Sequence, residues 1–99
     1  MKARLTPAAL EDIAGIYDAL AAYGDGFAAR IEDAVFDALD VFSRFPQFGV
    51  PTDEEDVHRW PMGEFRYTIF YRINRKMVVI EVLRIIDSKR LRSLRRTPQ

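Results

Sequence analysis

Between Phe65 and Ile86 the chain reads FRYTIFYRI, a polar break at NRK, then MVVIEVLRII. Two runs rich in β-branched and aromatic residues around a short polar turn specify an antiparallel hairpin. Counting outward from a two-residue loop at Asn74 and Arg75 sets Tyr67 against Val82, Ile69 against Ile80 and Tyr71 against Val78 on one face. That face needs a cover of helices. The opposite face carries Arg66, Thr68, Phe70, Val79, Glu81 and Leu83, a mixed surface with more apolar area than a solitary domain displays.

The text before the hairpin supplies the cover. Lys2 to Leu5 reads as a first strand. Thr6 then offers an N-cap oxygen, Pro7 suits the first helical turn, and Glu11 and Asp12 complement the positive end of the helix dipole. Leu10, Ile13, Tyr17 and Leu20 form an apolar stripe, which Gly24, Asp25 and Gly26 break. A second helix, Phe27 to about Arg44, carries Phe27, Ile31, Ala34, Val35, Ala38 and Phe42 on one side, and Pro46 stops it. The short connection makes the pair an antiparallel helical hairpin. Pro46 to Asp56 reads as loop, and Val57 to Trp60 as a strand ended by Pro61. After the main hairpin a basic segment, Ser88 to about Arg96, reads as a short helix. The expectation is one α+β domain over residues 1–99: an N-terminal strand, a helical hairpin, a three-stranded antiparallel sheet and a C-terminal helix, in the order β-α-α-β-β-β-α.

Composition narrows the chemistry. With 48% hydrophobic residues and no cysteine, the chain is expected to build its core without disulfides, and thiol catalysis and cysteine-based zinc sites are excluded. No apolar run approaches the roughly 20 residues that span a bilayer, and the first residues lack a signal-peptide core, so a cytoplasmic protein without membrane contact is expected. Formal net charge is zero, which speaks against a nucleic-acid coat protein. The acids nevertheless gather in the helical half and at Asp53–Asp56, whereas Lys89, Arg90, Arg92, Arg95 and Arg96 make the end cationic. Carboxylates at Asp33, Asp37 and Asp40 have the spacing of a wet helix face, and neither a Gly-rich phosphate loop nor a histidine–metal motif occurs. No metal and no cofactor are expected.

The segments LTPAALEDIAGIYDAL, FPQFGVP, GEFRYTIFYRI and VVIEVLRIIDSKR, taken in this order, resemble the ParE and RelE superfamily, the toxins of type II toxin–antitoxin pairs. The long helical hairpin resembles the ParE branch. The resemblance implies two mechanisms. ParE-type members are held to poison DNA gyrase, and RelE-type members cleave messenger RNA on the ribosome. Arg66 matches the arginine of the family's third strand, and Arg90 the basic residue after the fourth. Arg59 matches one of two basic positions of the nucleases, and Val57 stands at the other. Asp87 stands where ParE-type members usually carry histidine, and no tyrosine occurs near the end of the tail.

Cleavage of RNA needs a base beside the 2′-hydroxyl, a cation on the phosphate and an acid for the leaving oxygen. Arginine supplies the cation but stays protonated. His58 reads as a polar surface or hydrogen-bonded histidine, and Tyr67 and Tyr71 stand at core-facing parity. The leading expectation is therefore a toxin that binds a macromolecular target, DNA gyrase by resemblance, through Arg84, Lys89, Arg90, Arg92 and Arg95. A ParD-like or other DNA-binding antitoxin would cover Arg66, Phe70, Val79 and Leu83, and this chain would meet DNA only through it. The alternatives are a RelE-like ribosome-dependent ribonuclease using Arg59, Arg66 and Arg90, and a detoxified paralogue that only binds antitoxin.

Overall fold

The Thr6 hydroxyl joins the two halves of the fold. It accepts from the Ala9 N–H at 3.2 Å, capping the first helix, and donates to the Val82 carbonyl at 2.8 Å, tying that helix to the last strand. The computed structural model describes residues 1–95, with side chains except those of Asp25 and residues 92–95. The order is β1 (Lys2–Leu5), α1 (Pro7–Leu20), a 3₁₀ turn (Ala21–Tyr23), α2 (Asp25–Arg44), β2 (Val50–Pro51), β3 (Val57–Pro61), a second 3₁₀ turn (Gly63–Phe65), β4 (Tyr67–Asn74), β5 (Val79–Asp87) and α3 (Ser88–Arg95). The strands form one mixed sheet of five in the order β1-β5-β4-β3-β2, with β1 parallel to β5 and the other pairs antiparallel. The N-terminal strand, helical hairpin, antiparallel β3-β4-β5 unit and terminal helix expected of an α+β chain are all present. The expected loop at 46–56 holds an additional strand, β2, whose Val50 and Pro51 lie against Arg59 and His58. Two residues are too few to show periodicity in a sequence.

Both long helices pack on one face of the sheet. The core gathers Ile13, Ile16, Ile31, Val35 and Phe42 from the helices and Ile69, Tyr71, Ile73, Ile80, Val82 and Ile85 from β4 and β5. The buried side of α1 is Ala9, Ile13 and Ile16, and Leu10 and Tyr17 turn outward at 54% and 37% exposure. Ile13 and Leu20 stay inward as expected, while Ala9 and Ile16 take the places of Leu10 and Tyr17, so the buried face is turned by about 50° around the helix. Asp12 explains the rotation, since its carboxylate accepts from the Ile85 N–H at 2.8 Å and from both Nε and Nη2 of Arg84. In α2 the buried residues include Ala28, Leu39 and Phe42, while Phe27 and Phe36 face outward, so the expected inward Phe27 is corrected as well.

The β4–β5 register also departs from expectation. Tyr71 lies opposite Val82 and Ile73 opposite Ile80, and the connecting turn is Arg75 to Val78 rather than Asn74–Arg75. The Asn74 side chain accepts from the Met77 N–H at 3.0 Å, which favours the longer turn. A bulge follows, because Phe70 pairs with Arg84 and Tyr71 with Val82, leaving Leu83 without a partner. Tyr71 has moved four residues along its partner from the expected Val78. Tyr67 and Ile69 move five, to Asp87 and Ile85, and the extra bulge residue restores the parity, so the core-facing set of β4 survives the wrong register. Val78, expected inside, sits in the turn with a φ of 56°. Arg66 lies outside β4, in left-handed conformation at the end of the second 3₁₀ turn (φ 61°).

Tyr71 is the anchor of the sheet. Its ring stacks on Phe42 at 4.0 Å, and its hydroxyl donates to the Pro46 carbonyl at 2.9 Å and accepts from the Gly49 N–H at 2.8 Å. A Cβ on Gly49 would stand 2.7 Å from that hydroxyl, which accounts for glycine in the segment FPQFGVP.

Candidate functional site

The sheet sorts its cations into bound and unbound. Arg4 pairs with Glu81, Arg72 with Glu54 and Arg75 with Asp56 at 2.6–2.9 Å, Arg44 with Asp40 at 3.1 Å, and Arg30 lies 4.0 Å from Glu64. Arg84 grips Asp12 with two nitrogens, at 2.8 and 3.0 Å, and this hydrogen-bonded carboxylate raises the arginine's pKa further. Arg4 and Asn74 together hold the Glu81 carboxyl below its ordinary value, with the Arg4 hydrogen bond the largest cause. Such exposed pairs add little to stability, about 0.2–1 kcal/mol each. Their effect on function is greater, because a guanidinium held by a carboxylate is not free to hold a ligand.

Among the described residues Lys2, Arg59, Arg66, Lys76, Lys89 and Arg90 have no carboxylate partner. They do not converge. Arg59 lies beside Phe70 in an open concavity on the uncovered face of the sheet, with Asp53 and Glu54 on its rim. Arg66 lines a cleft of about 270 Å³ at the closed end of the helical hairpin. Arg90 shares a groove of about 230 Å³ between α1 and the end of β5 with Tyr67, Asp12 and Arg84. Tyr67 forms part of the walls of both the cleft and the groove. Burial, and then the Asp87 carboxylate, push its phenol pKa up, so it remains a neutral donor.

The remaining expected residues fall as follows. Phe70 and Leu83 are half-buried neighbours beside the bulge on the uncovered face, whereas Val79 lies at the other end of β5, opposite Asn74. Arg66 is off the sheet, so the four residues assigned to the antitoxin do not form one patch. Lys89 and Arg90 are exposed in the first turn of α3. The side chains of Arg92 and Arg95, and Arg96 altogether, lie outside the described residues. Asp87 caps α3 by accepting from the Lys89 N–H at 2.8 Å. This acid, at the position where the resemblance implied histidine, thus holds the start of the basic helix. His58 is buried at 6% exposure, stacked on Tyr71 at 5.4 Å, with Nδ1 unpartnered among the described residues. It is neither the surface nor the hydrogen-bonded histidine expected, because it sits inside the sheet between Pro51 of β2 and Tyr71 of β4.

Sequence reasoning missed the wet aromatics: Tyr23 is 73% exposed, Phe45 62%, Phe48 50% and Phe36 49%. Phe36 was legible in principle, being out of phase with Ile31, Val35, Ala38 and Phe42. Phe48 rests on Trp60 at 4.6 Å, a contact between distant segments that carries no local signal. Among the described residues no group of three or more His, Cys, Asp or Glu could hold a metal ion, and no helix is long and apolar enough to cross a membrane.

Against this geometry stand the likenesses to known proteins. Residues 3–92 match the family described as the ParE toxin of type II toxin–antitoxin system, parDE. Among solved structures, a chain of the chromosomal ParDE TA system from P. aeruginosa superimposes with a TM-score of 0.75 at 19% identity, covering 88% of this chain and 95% of that one. A chain of the toxin–antitoxin complex RelBE2 from Mycobacterium tuberculosis gives 0.64 at 23% identity, covering 87% and 95%. At these identities the two structural likenesses concern the fold. No curated protein matches.

Proposed function

This chain belongs to the ParE toxin family of type II toxin–antitoxin systems, and from that premise we propose that it harms the cell by gripping a macromolecular target, DNA gyrase by family expectation, and is silenced by a cognate antitoxin in the cytoplasm. One observation carries the choice of binding over cleavage. The unpaired cations Arg59, Arg66 and Arg90 open into three different cavities, and the histidine is buried against the Tyr71 ring. In-line cleavage of RNA needs its cation, base and acid within about 3 Å of one reacting centre. A binding surface has no such requirement, and guanidinium groups spread over separate hollows suit it. Lys89 and Arg90 on the capped α3 are the proposed target contacts, with Arg92 and Arg95 of the same helix. Arg84 contributes to the target groove through its hold on Asp12. Phe70, Leu83 and Val79 on the uncovered face, with Arg66, are the proposed antitoxin contacts, met by an extended segment and an amphipathic helix.

Expression of the chain without an antitoxin tests the reading. Filamentous cells with an induced SOS response are the expected result. Immediate translation arrest with cleaved messages would replace it by a RelE-like ribonuclease. Normal growth with soluble protein present would leave only an antitoxin-binding module.

A further inference from the structure

We propose that the end of the sheet crowned by the β4–β5 turn is a docking surface for a second copy of this chain, related to the first by a two-fold axis through that turn. The inference stands apart from the toxin reading and does not rest on it.

Three segments meet at this end, in an order set by the sheet. Val57, at the start of β3, pairs with Arg72, the turn 75–78 closes β4 on β5, and Lys2, at the start of β1, pairs with Val79. The loop that leads into β3 is fastened to the turn. The Asp56 carbonyl accepts from the Ile73 N–H at 2.9 Å, and Arg75 Nε donates to the Asp56 carboxylate at 2.9 Å. On the crown, Met77 and Val78 are 63% and 59% exposed. Val78 is also held in the left-handed region, at a φ of 56°. That conformation is a genuine outlier for a β-branched side chain, and glycine would adopt it without strain. A valine both strained and wet contributes nothing to the core described above. A partner that buries it gives the strain a use.

The charges on the two flanks of the crown have opposite sign. On the β3 side the loop carries Asp53 and Glu55, both exposed. Among the described residues neither has a cationic partner, whereas Glu54 is held by Arg72 and Asp56 by Arg75. On the β1 side Lys2 is exposed and unpaired, and Lys76 on the crown itself adds a second unpaired cation. Strands β3 and β1 flank the β4–β5 hairpin one strand to each side. A two-fold axis through the turn therefore sets the acidic loop of each copy against Lys2 of the other, with Met77 and Val78 packed at the centre. A partner of single sign fits less well. Phosphates or anionic headgroups drawn to the lysines meet the carboxylates, and a basic peptide drawn to the carboxylates meets the lysines.

Sedimentation equilibrium of the purified full chain, from micromolar to millimolar concentration, tests the surface. The average mass should rise toward twice the 11.5 kDa of one chain. Lys2→Glu with Lys76→Glu should weaken association at least about tenfold, as should Asp53→Lys with Glu55→Lys. The four changes together restore opposite signs across the axis, and association should return. Val78→Gly should weaken association about tenfold with an unchanged or higher Tm, because glycine relieves the backbone, so misfolding cannot explain the loss. A single-chain mass at every concentration, association unmoved by either charge reversal, a fourfold variant that stays monomeric with an unchanged Tm, or undiminished association of Val78→Gly would each overturn the surface. A monomer that pellets with phosphatidylglycerol vesicles would also overturn it, assigning the crown to a lipid surface instead. The readout is the mass of purified protein, so a failed growth assay leaves it standing, and its own failure leaves the toxin reading intact.

Discussion

At the scale of single residues, Tyr71 holds the loop 46–49 and the helical layer to the sheet with one side chain. Tyr71→Phe keeps the ring on Phe42 but leaves the Gly49 N–H and the Pro46 carbonyl without their partner, an expected loss of about 1–3 kcal/mol in urea denaturation. Gly49→Ala should also destabilise, since its Cβ meets the Tyr71 hydroxyl at 2.7 Å. Burial raises the Tyr71 pKa above its ordinary 10.0, partly offset by the Gly49 N–H. The unfolded chain therefore releases this proton first. The stabilisation is complete below about pH 10 and is lost as pH rises toward the folded-state value. Urea melts between pH 8 and 11 should show this decline, less steep in Tyr71→Phe. The inward placement of Tyr71 was legible from period-two alternation, as was the cap at Thr6 from its place before Pro7. The loop that Tyr71 seals was not, because Pro46 and Gly49 reach it across more than twenty residues.

At the scale of elements, the lesson lies in how α1 and β5 meet. β1 pairs with β5 only as far as Val82, so the β5 edge beyond needs another partner for its backbone, and Asp12 supplies one. Asp12→Ala should cost about 1–3 kcal/mol in denaturation, because it strips the Ile85 N–H as well as Arg84. Arg84→Ala should cost only about 0.2–1 kcal/mol, the usual contribution of an exposed ion pair. Near-equal costs would mean that the ion pair, and not the backbone contact, sets the helix. Heptad counting placed Leu10 and Tyr17 inward since it recognises apolarity but not an edge N–H that pulls one carboxylate toward the sheet. The same blindness to distant partners hid β2. The bulge at Leu83 was hidden too, since alternation continues unbroken in the text of β5.

At the scale of the whole molecule, the order of elements was legible because four modest segments agree on one arrangement. The free cations were not. Whether an arginine is available depends on acids far away in sequence: Arg84 finds Asp12 across 72 positions. The proposed division of labour predicts that Arg90→Ala combined with truncation before Leu91 reduces growth inhibition while purified antitoxin still binds. Undiminished killing by that variant would remove α3 from the mechanism. Asp87 belongs to the same device, since without its bond to Lys89 the first turn of α3 loses its cap.

The parallel seam between Lys2–Leu5 and Val79–Val82 gives the protein a built-in delay. The opening strand lies beside one translated almost eighty residues later, so the layer cannot close while the ribosome is still copying the middle of the message. A nascent chain carries its first strand long before the partner that holds it exists. Messages broken upstream of β5 are therefore expected to yield chains that cannot complete the sheet.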